Sequence, residues 1–165
     1  VGGRTGGNFD ETANEYSGGG GAGAGANGTT ASGGSPAHGG AGSQACTWLK
    51  PPAFGRSPTR NTAVDEVYYF CAGGAGGDWN DTAGNGGAGG GGGSPSVYGT
   101  AGVGGLQSLS EDIPDDDSGD GVNQSTGGRG AKNSGSGGGA GGHSGGGAKG
   151  GHGGSGILIL RYVRS

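Results

Sequence analysis

The 165-residue chain has no methionine, two cysteines, two tryptophans and six prolines. Val, Ile, Leu and Phe together make up about 11% of it, well under the roughly 20% below which a conventional hydrophobic core is doubtful. An ordinary globular enzyme fold is therefore not expected from the composition. Charge is scarce too: charged residues are 13% and the formal net charge is −4, a poor match for disorder driven by self-repulsion. No run approaches the 18 apolar residues of a membrane-spanning helix, and the longest apolar stretch, Ile157-Leu158-Ile159-Leu160, has the length of a strand. The chain starts at Val1 with no charged-then-apolar leader, as expected of a processed product or a piece of a longer protein.

What fills the sequence instead is glycine, 52 residues of it. Glycine and proline together reach about 35%, a level typical of low-complexity or fibrous chains. Collagen needs a strict Gly-X-Y register and abundant proline, and six prolines off that register exclude it. The glycines fall in four blocks, at about 17–45, 72–93, 99–105 and 127–156. Segments 46–71, 94–98 and 106–126 separate them, and 1–16 and 157–165 flank them. All 13 acidic residues lie in 1–120, against Arg4, Lys50, Arg56 and Arg60; residues 121–165 carry Arg129, Lys132, Lys149, Arg161 and Arg164 and no acid. This asymmetry reads either as a solvated surface or as two ends that meet head to tail between subunits.

Within the blocks the spacing is informative. Gly84, Gly87, Gly90 and Gly93 recur every three residues, and the tail reads Gly150-Gly151-His152-Gly153-Gly154-Ser155-Gly156. Three is the repeat of the polyproline II helix, which rises about 3.1 Å per residue and makes no internal hydrogen bonds. Its amides must bond elsewhere, and glycine faces without Cβ allow such helices to pair side by side through their backbones. The expected fold is irregular and glycine-rich: a polyglycine II-type helical bundle or sandwich with a few β-strands and almost no α-helix, one domain over 1–165. Ordering a residue costs roughly 1–2 kcal/mol and a net hydrogen bond returns about 0.5–1.5 kcal/mol, so such a bundle calls for help from a cross-link, from apolar flanks or from oligomerisation. Residues 21–26, Gly-Ala-Gly-Ala-Gly-Ala, break the rule with a period of two, the rhythm of a silk-like strand or of a loop.

Segment 46–71 reads as an inserted hairpin or lobe, with strand formers in its second half (Val64, Val67, Tyr68, Tyr69 and Phe70) and Cys46 and Cys71 at its feet. The two cysteines are either a disulfide, worth roughly 3–4 kcal/mol in the chain-entropy model and implying an oxidising environment, or two separate thiols. Segment 106–126 is an acidic loop. From Asp116 it runs Asp-x-Ser-x-Asp-Gly, so that Asp116, Ser118 and Asp120 supply oxygens at the first positions of a calcium loop. Gly127 stands where the closing glutamate is required, and a solvated acidic loop is the competing reading. His143 and His152 would be some 28 Å apart on one three-fold helix, too far to share a metal; with His38 they read as surface positions of the repeat. Three Asn-x-Ser/Thr triplets, at Asn27, Asn80 and Asn123, occur at about the frequency the composition gives by chance. No nucleophile elbow or phosphate loop is present, and the tail's basic residues are too sparse for nucleic acid. No catalytic role, cofactor beyond a candidate calcium ion, or membrane insertion is expected.

The tail Ile157, Leu158, Ile159, Leu160, Arg161 and Tyr162 is apolar on both faces at its start, so it wants a partner on each. It reads either as a central strand closing the domain or as an assembly strand added to a neighbouring subunit.

From Gly150 to Tyr162 the sequence Gly-Gly-His-Gly-Gly-Ser-Gly-Ile-Leu-Ile-Leu-Arg-Tyr resembles the closing motif of the glycine-rich domain of bacteriophage tail-fibre and other virion structural proteins. The match covers about a dozen residues closely and the layout of glycine blocks with insertions loosely. Such proteins often carry an aliphatic strand before the first glycine run, where this chain has only Val1-Gly2-Gly3. The resemblance implies a virion or extracellular appendage component with polyglycine II packing, in which loops between glycine-rich helices contact a host receptor. Segments 46–71 and 106–126 are then the candidate display surfaces, with Trp48, Tyr68, Tyr69 and Trp79 as candidate contacts. The partners expected are further copies of the chain, other appendage subunits or a host-surface receptor. A self-assembling extracellular filament subunit joined through the C-terminal strand is the alternative. An ice-binding bundle fits less well, because His, Lys, Asn and Asp interrupt the rows of small side chains it would need.

Overall fold

The computed structural model describes residues 3–10, 17–32, 37–43, 69–77, 84–87, 91–94, 127–131, 134–141, 149–156, 158 and 160–164. Among them there is no helix, and pairing of strand type is confined to isolated bridges, including the antiparallel pairs Asp10 with Ser17 and Ser43 with Phe70. Among the described residues the architecture is thus irregular and glycine-rich, as its composition requires, with almost no strand.

Order comes from hydrogen bonds between extended segments, and segment 70–77 shows how they are arranged. Its carbonyls at Cys71, Gly74 and Gly77 accept from the amides of Ala24, Gly21 and Gly18 at 2.8, 2.9 and 2.7 Å. Those at Ala72 and Ala75 accept from Gly137 and Ala140 at 2.8 and 2.9 Å. Its amides at Phe70, Gly73 and Gly76 donate to the carbonyls of Ser43, Gly40 and Ala37 at 3.0, 2.8 and 3.1 Å. Backbone groups three residues apart thus face the same neighbour. Segments 17–24 and 37–43 run antiparallel to 70–77, whereas 134–140 runs parallel to it.

The same step of three recurs outward. Gly127 and Gly130 donate to Lys149 and His152, Gly151 and Gly154 to Gly139 and Ser136, and Gly28 and Ala31 to Thr5 and Asn8. Burial follows it as well: residues 17, 20 and 23 are buried while 21, 24 and 27 are exposed.

The glycines serve close approach rather than unusual dihedrals. Among the described glycines Gly135 alone has a left-handed backbone, with φ of 67°. A Cβ placed on Gly39 would lie 2.8 Å from the Gly87 nitrogen, and one on Gly92 would lie 2.7 Å from the Gly139 nitrogen, closer than real Cβ atoms come. The buried apolar residues among those described are all alanines, at 31, 37, 72, 75 and 131. The described core is therefore main chain and methyl groups.

Serine hydroxyls complete it. Ser94, Ser134 and Ser136 are each at most 2% exposed. Ser94 Oγ accepts from the Gly84 amide at 2.9 Å, and Ser136 Oγ from the Ala72 amide at 3.1 Å. These oxygens stand in for carbonyls where no backbone partner reaches, because a buried amide left unpaired is costly. At the edge formed by segment 3–10, Asn27 Oδ1 and Thr30 Oγ1 do the same for the amides of Thr5 and Asn8, at 3.2 Å each.

The period-two stretch is no strand. Gly21 keeps the three-residue register, and the chain then bends at 24–26, closed by a 2.9 Å bond from the Gly23 amide to the Ala26 carbonyl. The alternation reflects two glycines, Gly23 and Gly25, pressed against the backbone around Ala41 and Gly42.

Candidate functional site

An open groove of about 530 Å³ runs between segments 17–24 and 134–141, with segment 70–77 as its floor. It is lined by residues 21, 22, 24, 71–75, 135 and 137–140. Apart from the Cys71 thiol the described lining is glycine and alanine, so among the described residues its polar surface is mainly main chain. The Gly74 nitrogen lies between the two rims: a Cβ built on Gly21 would approach it to 3.4 Å, and one on Gly137 to 3.1 Å.

At one end of the groove Cys71 adopts φ of 58°, the left-handed region that costs a non-glycine residue roughly 1–2 kcal/mol. The turn is held from both sides. The Cys71 amide donates to the Ser134 carbonyl at 2.8 Å, and the Cys71 carbonyl accepts from Ala24. The kink redirects the chain from the bridge at Phe70 into the buried run 72–76. Gly135 lies against it, where a Cβ would come within 3.2 Å of Sγ.

The Cys71 thiol is exposed and free in this structure, and Cys46 lies outside the described residues. Exposure leaves Cys71 accessible to oxidation. If the two thiols pair under oxidising conditions, the intact chain should weigh two hydrogen atoms less before reduction than after, and alkylation should label neither cysteine until a reductant is added. Labelling of both without reductant would exclude the bond.

The other anticipated site residues divide in the same way. Asp116, Ser118 and Asp120 of the acidic loop, the contacts Trp48, Tyr68 and Trp79, and Ile157, Ile159 and His143 lie outside the described residues. Tyr69 is half-buried next to the Phe70 bridge. His38 is partly buried, and its Nδ1 accepts the Asn85 amide at 2.9 Å; His152 is exposed and contributes its carbonyl to Gly130. Among the described residues no group of three His, Cys, Asp or Glu converges as metal ligands, and no helix is long and apolar enough to cross a membrane.

The C-terminal tail departs from one of its two expectations. Leu158, Leu160, Tyr162 and Val163 are 82, 77, 85 and 92% exposed, and none of the described tail residues is in a strand. Closure of the domain by a central strand is therefore not what these residues do. The described core buries no apolar side chain larger than alanine, and the described tail residues stand outside it. Sequence reasoning missed the groove and the buried serines; the Ser-Gly-Ser step at 134–136, set inside a glycine tract, was the available signal for the latter.

No family model, no curated protein and no solved structure matches the chain.

Proposed function

We propose that the chain is a non-enzymatic structural and adhesive domain of a phage tail fibre or a similar extracellular appendage. In this reading polyglycine II-type packing forms a rigid scaffold from which segments 46–71 and 106–126 are displayed to a host surface. The observation that carries it is the three-residue register in which segment 70–77 bonds to its neighbours. A flexible spacer has no use for such a lattice, whereas a display scaffold needs the stiffness that cross-bonded main chains supply. The resemblance of residues 150–162 to the tail-fibre closing motif supports the appendage setting.

Amide hydrogen exchange tests the scaffold. Gly73, Ala75 and Gly76, whose amides are bonded, should exchange slowly, whereas Gly19 and Ala22, which donate no such bond among the described residues, should exchange far faster. Uniform exchange at the rate of an unfolded chain would sink the scaffold. The adhesive half is tested separately, by binding of the labelled chain to host cell envelopes. Trp48→Ala, Tyr68→Ala and Trp79→Ala should weaken binding, and undiminished attachment by all three would remove the contact role.

A second reading, a filament subunit joined head to tail, is favoured by one observation: the apolar tail residues Leu158, Leu160 and Tyr162 stand in solvent. Large apolar side chains grouped on a surface mark contact sites for other molecules.

A further inference from the structure

We propose that copies of this chain join by docking glycine onto glycine, with the exposed row Gly150, Gly153 and Gly156 of one copy seated in the groove between segments 17–24, 70–77 and 134–141 of the next. This rests on the reading of the chain as an assembling subunit, and it names the two surfaces that meet.

The row is the first half of the argument. In segment 149–156 the residues sort into three files. Gly151 and Gly154 face inward, donating to Gly139 and Ser136 at 2.8 Å each. Lys149, His152 and Ser155 offer their carbonyls to Gly127, Gly130 and Gly135 at 2.8, 2.7 and 2.8 Å. The third file, Gly150, Gly153 and Gly156, has no such duty. A Cβ would lie 3.6 Å from the Gly139 oxygen at Gly150 and 3.5 Å from the Ser136 oxygen at Gly153, both ordinary contacts, and would meet nothing within 4 Å at Gly156. None of the three has a left-handed backbone. Neither space nor dihedral requires glycine, which costs roughly 0.5–1 kcal/mol relative to alanine at such positions. Three bare positions in register are instead what a second main chain needs in order to approach closely.

The groove is the second half. Gly74 is buried on its floor, and among the described residues no acceptor pairs with its amide. Buried amides are almost always paired. Elsewhere the bundle closes its edges with side-chain oxygens from Asn27, Thr30, Ser94 and Ser136; the described residues that line the groove present none. The occupant it fits is a three-fold main chain that brings carbonyls at every third residue and no Cβ on the facing side. Among the described residues the carbonyls of Gly150 and Gly153 accept no bond. Because different faces meet, the contact is heterologous and propagates. It also carries Leu158, Leu160, Tyr162 and Val163, which follow the row directly, onto the neighbouring copy.

Sedimentation velocity of the full chain over a concentration series tests this. The wild type and Gly3→Glu, which alters an exposed position with nothing nearby, should form chains. Ala24→Glu, on the exposed groove rim, and the double variant Gly150→Val/Gly153→Val should each remain monomeric, melting where the wild type does at concentrations dilute enough that it too is monomeric. Mixed one to one, those two variants should give a heterodimer that does not grow, since each supplies the face the other has lost. Assembly of either variant like the wild type, or a mixture that stays monomeric, overturns the docking. If Leu158→Asp/Leu160→Asp abolishes assembly while the groove and row variants do not, assembly through the tail stands and the docking falls. A wild type that stays monomeric to its solubility limit overturns both.

Discussion

A Gly76→Ala chain should melt roughly 6–12 °C below the wild type, the shift expected for a loss of about 3 kcal/mol in a chain of this length. Gly76 crosses segment 17–24 at close range. The added Cβ would sit 2.7 Å from the Gly19 carbonyl oxygen and nearer still to the Gly18 carbonyl. Both obstacles are backbone, so no side chain can swing aside. Relief requires the two segments to part, which weakens the bonds from Gly18 to Gly77 and from Gly21 to Gly74, each worth about 0.5–1.5 kcal/mol net, on top of the 1–3 kcal/mol typical of overpacking. Gly153→Ala supplies the contrast. Its Cβ meets only the Ser136 oxygen, at 3.5 Å, and it restricts the unfolded chain, so melting should stay level or rise with a gain of about 0.4–1 kcal/mol. Calorimetry of the two single variants decides the matter: equal effects would mean that glycine serves flexibility here rather than proximity.

The contrast between Gly76 and Gly153 also marks how far the sequence could be read. The repeat of Gly150, Gly153 and Gly156 is visible in one dimension, and it foretells the backbone bonding and the lack of helix seen among the described residues. What glycine cannot encode is an address. Bare main chain pairs with any other bare main chain, so nothing in residues 72–77 announces that 17–24 and 37–43 lie antiparallel to it and 134–140 parallel. The alternation at 21–26 misleads for a related reason: a period of two in Gly and Ala arises wherever alternate residues touch neighbours, and here those touches fall on either side of a bend.

The tail misleads through a rule that holds for other cores. Ile157 to Leu160 looks like a buried strand because apolar residues usually have an apolar interior to enter. Here the described interior offers alanine methyls and amides, and Leu158 and Leu160 stay in water. The kink at Cys71 was equally silent, since a cysteine at φ of 58° has no sequence signature and becomes visible only with its bonds to Ala24 and Ser134.

Serine in a glycine tract looks like a solvated X position, yet removal of two hydroxyls should cost as much as a core cavity does in an ordinary protein. Ser94→Ala deprives the Gly84 amide of its side-chain acceptor, and Ser136→Ala does the same to Ala72 while also removing a 2.8 Å partner of Ser134 Oγ. All three hydroxyls are at most 2% exposed, so water does not reach the orphaned groups without opening the bundle. An amide left unpaired in such a site costs about 1–3 kcal/mol. The double variant should therefore lose about 4 kcal/mol, a large share of the 5–15 kcal/mol that folded domains possess. Denaturant titration should show the midpoint falling with little change in slope. In amide exchange Gly84 and Ala72 should lose protection before their neighbours do. The local loss of protection separates this mechanism from general loosening: if the double variant melts early but those two amides exchange no faster than the rest, the hydroxyls fill space rather than complete the hydrogen-bond lattice.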